Sequence, residues 1–368
     1  MKKGQSPLTP IQPIGRYKML PREEYLKLPL KERFIKLDKA EEERAEELHK
    51  RIITIDLHSH ILPDEDFIVS RIKNSGVTGF VEAVAAIHEN FQKSMDELGY
   101  LMQRSIKHPD FMPAFKAEDF KRAKQKGKIA TMFQLEPQTF GKNLDNVDVA
   151  YGLGIRMALL TFNTRTYAGD GCGERTNEGL SYFGIDLVER MNKVGMLIDL
   201  SHVGIQTTLD TIETSKDPVI ANHVGARALH PQCKRMKTDE ELQALAEKGG
   251  IAGVSAIPNQ LSNKPEQGID DLLNHVDYIV NLIGVDKCAI GLDNVFEDQV
   301  EYHRQAAKTI FFLDRTGQEL NAPYMAGIES PEEWPNITRG LVSRGYSDQE
   351  IEKILGINAI NLMRKVIG

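Results

Sequence analysis

Three features of the sequence predict an α/β fold of the (β/α)8 barrel class. Short apolar segments recur along the 368 residues, each is followed by a stretch with helical spacing, and there are eight of them. Alternation of strand and helix indicates βαβ units and a parallel sheet, and a count of eight favours closure into a barrel over an open sheet. Such barrels commonly occupy about 250 residues or more, so the length suits one domain with N-terminal and C-terminal helical additions.

The elements follow in order. Residues 1–28 begin MKKGQSPLTP, with Pro, Gln and Gly where a secretory signal would carry its apolar core, and are read as an N-terminal arm before a single domain over 29–368. From Pro29 to Arg51 apolar residues recur at helical spacing among charged ones, which predicts a helix delivering the first strand at Ile52 to Ile55. The other seven strands are expected at Thr78 to Val84, Ala130 to Leu135, Arg156 to Thr161, Met196 to Leu200, Pro218 to Asn222, Gly250 to Ile257 and Cys288 to Leu292. Gly76, Gly154, Gly195 and Gly249 or Gly250 stand just before strands, where helix C-caps use glycine.

Composition excludes several function classes. Hydrophobic residues make up 41% of the chain, yet no apolar run approaches the roughly 20 residues needed to span a bilayer, so no membrane association is expected. A formal charge of -7 argues against nucleic acid as a partner. The three cysteines, Cys172, Cys233 and Cys288, are odd in number and lack CxxC spacing, which points away from a disulfide framework or a thiolate zinc site and towards a cytoplasmic location.

The chemistry lies where histidines and acids fall relative to the strands. His58 and His60 end the first (TIDLHSH), Glu136 the third (MFQLEP), His202 the fifth (MLIDLSH), His223 the sixth (PVIANH) and Asp293 the eighth (AIGLDN). In a barrel these carboxyl ends converge on one mouth, which brings residues distant in sequence within reach of one another. The two-residue spacing of His58 and His60 puts both imidazoles on one face of a strand, so one metal can be gripped by both. Imidazole plus carboxylate is the ligand set expected of catalytic zinc. Glu136 suits a bridge between two ions, His202 and His223 complete the second, and Asp293 is left beside the metal-bound solvent as ligand or proton acceptor. Two zinc ions are therefore expected. His49, His88, His108, His230, His275 and His303 fall in helical or loop stretches and are read as structural.

The segments IDLHSH, the Glu136 strand, GMLIDLSHVG, PVIANHVGARAL, KRMKTDEEL and IGLDN resemble the membrane (renal-type) dipeptidase family of the amidohydrolase superfamily. The resemblance runs from about Ile53 to the C-terminus, and the tail from Ser330 is similar to that family's closing helices. It implies zinc-dependent hydrolysis of dipeptides or similar small amides by a metal-bridging hydroxide, and a homodimer. It also implies that Arg235 receives the substrate's terminal carboxylate, a task its planar fork suits.

Three departures stand out. The family usually has His-x-Asp where this chain has His58 and His60, which keeps a ligand but removes a negative charge. Phe162 occupies a place where the family commonly has a histidine that approaches the scissile carbonyl oxygen, and a phenyl ring cannot donate a hydrogen bond. Oxyanion stabilisation is then expected from zinc or Arg165. The stretch Val81 to Asn90 lacks the family's aromatics, which implies a rebuilt substrate pocket. The long loop Asn163 to Gly184 could supply Arg165, Tyr167, Asp170 or Arg175 to a substrate or be a flexible surface loop, while its Cys172 is read as packed. Two other readings remain open: hydrolysis of another bond, such as a lactone, an N-acyl amino acid or a phosphoester, and a non-catalytic barrel that only binds metal or ligand.

Overall fold

The computed structural model describes residues 37–60, 66–84, 90–136, 140–295, 316 and 325–368. The arm assigned to residues 1–28, together with His88, His303 and the part of the Val81 to Asn90 stretch at 85–89, lies outside the described residues.

Among the described residues the strands are β1 (Ile55–His60), β2 (Gly79–Val84), β3 (Phe111–Pro113), β4 (Ile129–Leu135), β5 (Ile155–Leu159), β6 (Leu197–Asp199), β7 (Ile220–Val224), β8 (Ile251–Val254), β9 (Gln267–Gly268), β10 (Cys288–Ile290), β11 (Asn294–Val295) and β12 (Met325–Ala326). All but β9 and β12 belong to one parallel sheet in the order β10-β8-β7-β6-β5-β4-β2-β1-β11, with β3 on the side of β4. Because β10 and β11 are successive parts of one segment, pairing of Ser59 with Asn294 brings the sheet back on itself. The result is a nearly closed barrel of eight parallel strands with flanking helices.

Seven of the eight expected strands lie where sequence placed them, within a few residues. The first is displaced: the helix Lys39–Arg51 ends at Arg51, but the strand runs from Ile55 to His60 and not from Ile52 to Ile55. Ile52 is the helix C-cap, and its N–H still bonds back to the Leu48 carbonyl. The helix itself starts at a capping box, with Glu41 N–H donating to Asp38 Oδ1 at 2.8 Å and Asp38 N–H to Glu41 Oε2 at 3.0 Å. Gly76, Gly154, Gly195 and Gly249 all have positive φ, as the expected C-cap role requires.

Alternation within the strands builds two cores. Leu57, Val81, Met132, Met157, Leu197, Ile220 and Ile251 pack together with Ala359, Ile360 and Met363 of the closing helix Asn358–Val366. Intervening residues such as Val84, Phe133, Leu135, Ala158 and Ile198 pack in a second cluster with helix residues such as Leu187, Val188 and Met191. The short strands deliver their carboxyl ends to one rim, and all six expected ligands lie on or just beyond those ends.

Tight packing reaches directly under that rim. A Cβ added to Gly253 or Gly291 would be driven into the carbonyl oxygen of Asn222, the residue before His223. Gly291→Ala is therefore expected to destabilise the fold by about 1–3 kcal/mol through overpacking. Thermal unfolding of the purified variant checks this; an unchanged midpoint would mean that the strands can part at no cost.

Candidate metal centre

β1 carries both His58 and His60, two positions apart and on the same face. Their Nε2 atoms lie 3.6 Å and 3.4 Å from Asp293 Oδ1. His58 Nε2 is also 3.7 Å from Glu136 Oε1. On the other side Asp293 Oδ2 is 3.9 Å from His223 Nε2, and His223 Nε2 is 2.9 Å from His202 Nε2. The rings of His58 and His223 stack at 3.9 Å. All six residues predicted as ligands thus form one continuous cluster, and the donor atoms of His58, His223 and Asp293 lie within 4.8 Å of one another.

The chemistry of the donor set fits metal. His202 Nδ1 faces Asn163 Oδ1 at 2.8 Å, and His223 Nδ1 faces Asn222 Oδ1. An amide oxygen only accepts, so each Nδ1 carries the proton and each Nε2 presents a lone pair. Two lone pairs facing each other at 2.9 Å repel, and a cation that accepts both removes the repulsion. Orientation of ligating histidines by hydrogen bonds to the second nitrogen is what metal sites use.

Burial sets the protonation states. It pulls His58 down to about 3 and holds His202 and His223 well below the ordinary imidazole value, so all three are neutral and ready to ligate at pH 7. Burial also pulls on His60, but Asp293, Glu136 and Glu82 outweigh it and leave His60 raised. Glu136 is pushed up to about 8 by burial, with Asp293 and Asp199 adding to it. Asp293 resists burial and stays well below the carboxylate range, because His223, His60 and His58 surround it.

Below the cluster lies a buried polar layer that sequence reasoning missed. Gln134 Nε2 donates to Asp199 Oδ2 at 2.8 Å, and Asn222 Nδ2 donates to Gln134 Oε1 at 2.5 Å and to the Leu57 carbonyl at 2.9 Å. Ser201 Oγ donates to Asp199 Oδ1 at 2.9 Å and receives His223 N–H at 3.1 Å. On β1, Asp56 accepts from Leu292 N–H at 2.8 Å and from Ser59 Oγ at 2.8 Å, which ties the barrel closure to both ends of the site. The available signal was a polar residue inside an otherwise apolar strand, which holds for Gln134 in IATMFQL and Asp199 in LID, whereas Asp56 and Asn222 share their strands with histidines.

The remaining expected site residues divide. Phe162 stacks on His202, with ring centres 3.8 Å apart. Arg235 is 1% exposed, its Nη2 donates to the His223 carbonyl at 3.0 Å, and its Nε and Nη1 have no partner among the described residues. Arg165 is not brought to the cluster. It is exposed, its Nε donates to Asp170 Oδ1 at 2.5 Å and its Nη2 to Thr176 Oγ1 at 2.6 Å, so its role as an oxyanion donor is corrected to one of ordering its own loop. That loop is fastened down: buried Asp170 also receives Glu178 N–H at 3.0 Å, and Cys172 N–H donates to the His202 carbonyl at 2.7 Å. Cys172 is buried as expected.

Comparison with known proteins decides the family. The family model of membrane dipeptidases, peptidase family M19, matches residues 42–303. The chain belongs to this family. A dipeptidase, tcpJ, of Claviceps purpurea (strain 20.1) is 29% identical over 297 residues, which covers 79% of this chain and 63% of that protein, so the match spans under two thirds of the relative's length. An amidohydrolase from Pseudomonas aeruginosa superposes with a TM-score of 0.81 at 29% identity over 88% of this chain and 99% of that one. A metallopeptidase from Rhodobacter sphaeroides, solved with a phosphinate mimic of the dipeptide L-Ala-D-Ala, shares the fold with a TM-score of 0.71 at 19% identity, covering 86% and 99% of the two chains.

Two outcomes follow for this membrane dipeptidase family member. Asn222→Leu removes the acceptor that orients His223 and should weaken metal retention about 10- to 100-fold; metal content after dialysis against graded chelator measures it. Because Glu136 titrates near 8 and the buried histidines are already neutral, metal uptake at pH 7 should expel a proton from Glu136. Release should fade as pH rises past 8 and be reduced in Glu136→Gln, which calorimetry in buffers of different ionisation enthalpy would detect.

Proposed function

We propose that this protein is a zinc-dependent dipeptidase acting on dipeptides or similar small amides. The observation that carries the reading is Arg235, a fully buried guanidinium whose Nε and Nη1 have no partner among the described residues and whose Nη2 donates to the carbonyl of His223. A buried cation lacking its full set of acceptors costs several kcal/mol, a cost that an incoming carboxylate would offset. A substrate with a free carboxylate a short distance from its scissile amide satisfies that need and reaches the metal cluster at once.

His58, His60 and Glu136 would hold one ion and His202 and His223 the other, with Glu136 shared between them. When bound, two zinc ions supply an activated water and a Lewis acid for the amide carbonyl. Arg235 would grip the carboxylate and fix the amide over the cluster. Asp293, ionised and placed between His58, His60 and His223, would accept the water's proton and return it to the leaving amine. Phe162 offers no hydrogen bond, so its part is to cover His202 and keep solvent from it. Family membership and the similarity to the tcpJ dipeptidase support the activity.

Arg235→Ala tests this reading. It should raise KM and lower kcat for a dipeptide, while a C-terminally amidated dipeptide, which lacks the charge, should scarcely change. Lysine should rescue only in part, since it lacks the fork. If wild type hydrolyses both equally well and the mutation changes neither, Arg235 is not a carboxylate anchor, and hydrolysis of a lactone or another ester becomes the better reading.

A further inference from the structure

The segment that carries Arg235 is fastened to the metal-ligand loops by one buried side chain two residues further on. Lys237 is 3% exposed, and its Nζ donates to the Val203 carbonyl at 2.9 Å, to Thr208 Oγ1 at 2.7 Å and to Glu241 Oε1 at 3.0 Å. An ammonium has three protons, and these contacts use all of them. Val203 directly follows His202. The main chain of Lys237 meanwhile pairs with the segment after His223: its N–H donates to the Gly225 carbonyl at 2.9 Å, and its carbonyl accepts from Arg227 N–H at 2.8 Å. One residue thus joins the Arg235 segment to the loops of both His202 and His223.

This arrangement is expensive for a purely structural contact. Burying a lysine has a large desolvation cost, and a methionine of similar length would fill the same space without it. What the ammonium adds is direction, since three fixed acceptors specify its position where apolar packing would tolerate sliding. Its counterion is itself fixed. Glu241 is the capping-box residue of the helix Asp239–Glu247, and its Oε2 receives Thr238 N–H at 2.9 Å and Thr238 Oγ–H at 3.0 Å. Glu241 therefore answers the charge of Lys237, while the guanidinium of Arg235 keeps two donors without a partner among the described residues.

We propose that Lys237 is a positioning residue that sets the span between Arg235 and the ligands His202 and His223, and thereby selects substrates whose carboxylate lies one residue beyond the scissile amide. This inference rests on the reading of Arg235 as the carboxylate anchor. A rigid span discriminates by length: a dipeptide reaches from anchor to metal cluster, whereas a tripeptide cleaved at its first bond carries its carboxylate one residue too far.

The test compares kcat/KM for a dipeptide, its C-terminal amide and a tripeptide in zinc-loaded wild type, Lys237→Met and Thr208→Val. Displacing the anchor by about 1 Å should lower dipeptide kcat/KM about 10- to 100-fold. The loss should appear mainly in KM, while the amide changes little and the tripeptide gains relative to the dipeptide. Thr208→Val deletes one of the three bonds in a nearly isosteric side chain and should shift the same ratios less. A general loss of fold lowers all three substrates alike and leaves the ratios where they were. If wild type shows no preference for the free carboxylate, the Arg235 reading fails and takes this inference with it. If wild type prefers it and the ratios stay constant in the folded variants, the Lys237 inference is overturned while the Arg235 reading stands. Should Lys237→Met not fold, Thr208→Val decides alone.

Discussion

Asn222 is the point on which the candidate site depends. Its side chain donates to the Leu57 carbonyl of β1 and to Gln134 of β4, accepts from His223 Nδ1, and has its oxygen 3.0 Å from Ser201 Oγ. Its main-chain N–H reaches Asp199 Oδ1 at 3.0 Å, and its carbonyl is closely packed by Gly253 of β8 and by Gly291. A single residue on β7 therefore touches or spaces five other parts of the barrel. In an apolar environment such a network is stable only when nearly every member is satisfied, and shifting one strand by a residue would break most of its bonds at once. The register of the barrel and the aim of His223 are consequently one constraint.

Strain is concentrated at the same rim. Among the described residues His202, Asn259 and Asp293 are the non-glycine positions with positive φ, and two of the three are predicted ligands. A left-handed conformation costs a non-glycine residue about 1–3 kcal/mol and persists only where the surroundings impose it. The impositions are visible. His202 is held at its carbonyl by Cys172 N–H and at its ring by Asn163, and the main chain of Asp293 donates to the His58 carbonyl at 2.9 Å.

Much of this was legible in the sequence because the period of the strands and the position of each acid or histidine are one-dimensional facts. Strand ends in a barrel meet at one rim, so locating the ends brought the candidate ligands together. The misplaced first strand shows the limit: Ile52 and Ile53 are β-branched and read as strand, but the helix ends at Arg51 as expected, Ile52 serves as its C-cap, and the strand begins only at Ile55. The supporting layer was not legible. Gln134, Asp199 and Asn222 interact across 65 and 88 positions of sequence, and a polar residue in an apolar strand signals burial without naming its partners. Arg165 failed for a related reason, since its partner Asp170 lies in the same loop and only the fold reveals that Asp170 is buried.

The exchange of the family's aspartate for His60 bears on what the site attracts. With two divalent cations bound, Glu136 and Asp293 would cancel two of four positive charges, whereas an aspartate in place of His60 would have cancelled a third. Arg235 adds another positive charge at the edge of the same buried space. The excess acts on substrate in a region of low dielectric, where it is screened far less than at the surface. Of the other buried carboxylates that act on the cluster, Glu82 is held by Arg104 with bonds of 2.6 Å and 2.7 Å to its two oxygens, and Asp199 is engaged by Gln134, Ser201 and the Asn222 N–H. In the proposed dipeptidase reading, a site so charged would favour an anionic substrate over a neutral amide or ester of the same shape. The histidine at position 60 and the unpartnered donors of Arg235 thus point to the same feature of the substrate, a free carboxylate, from two independent parts of the barrel.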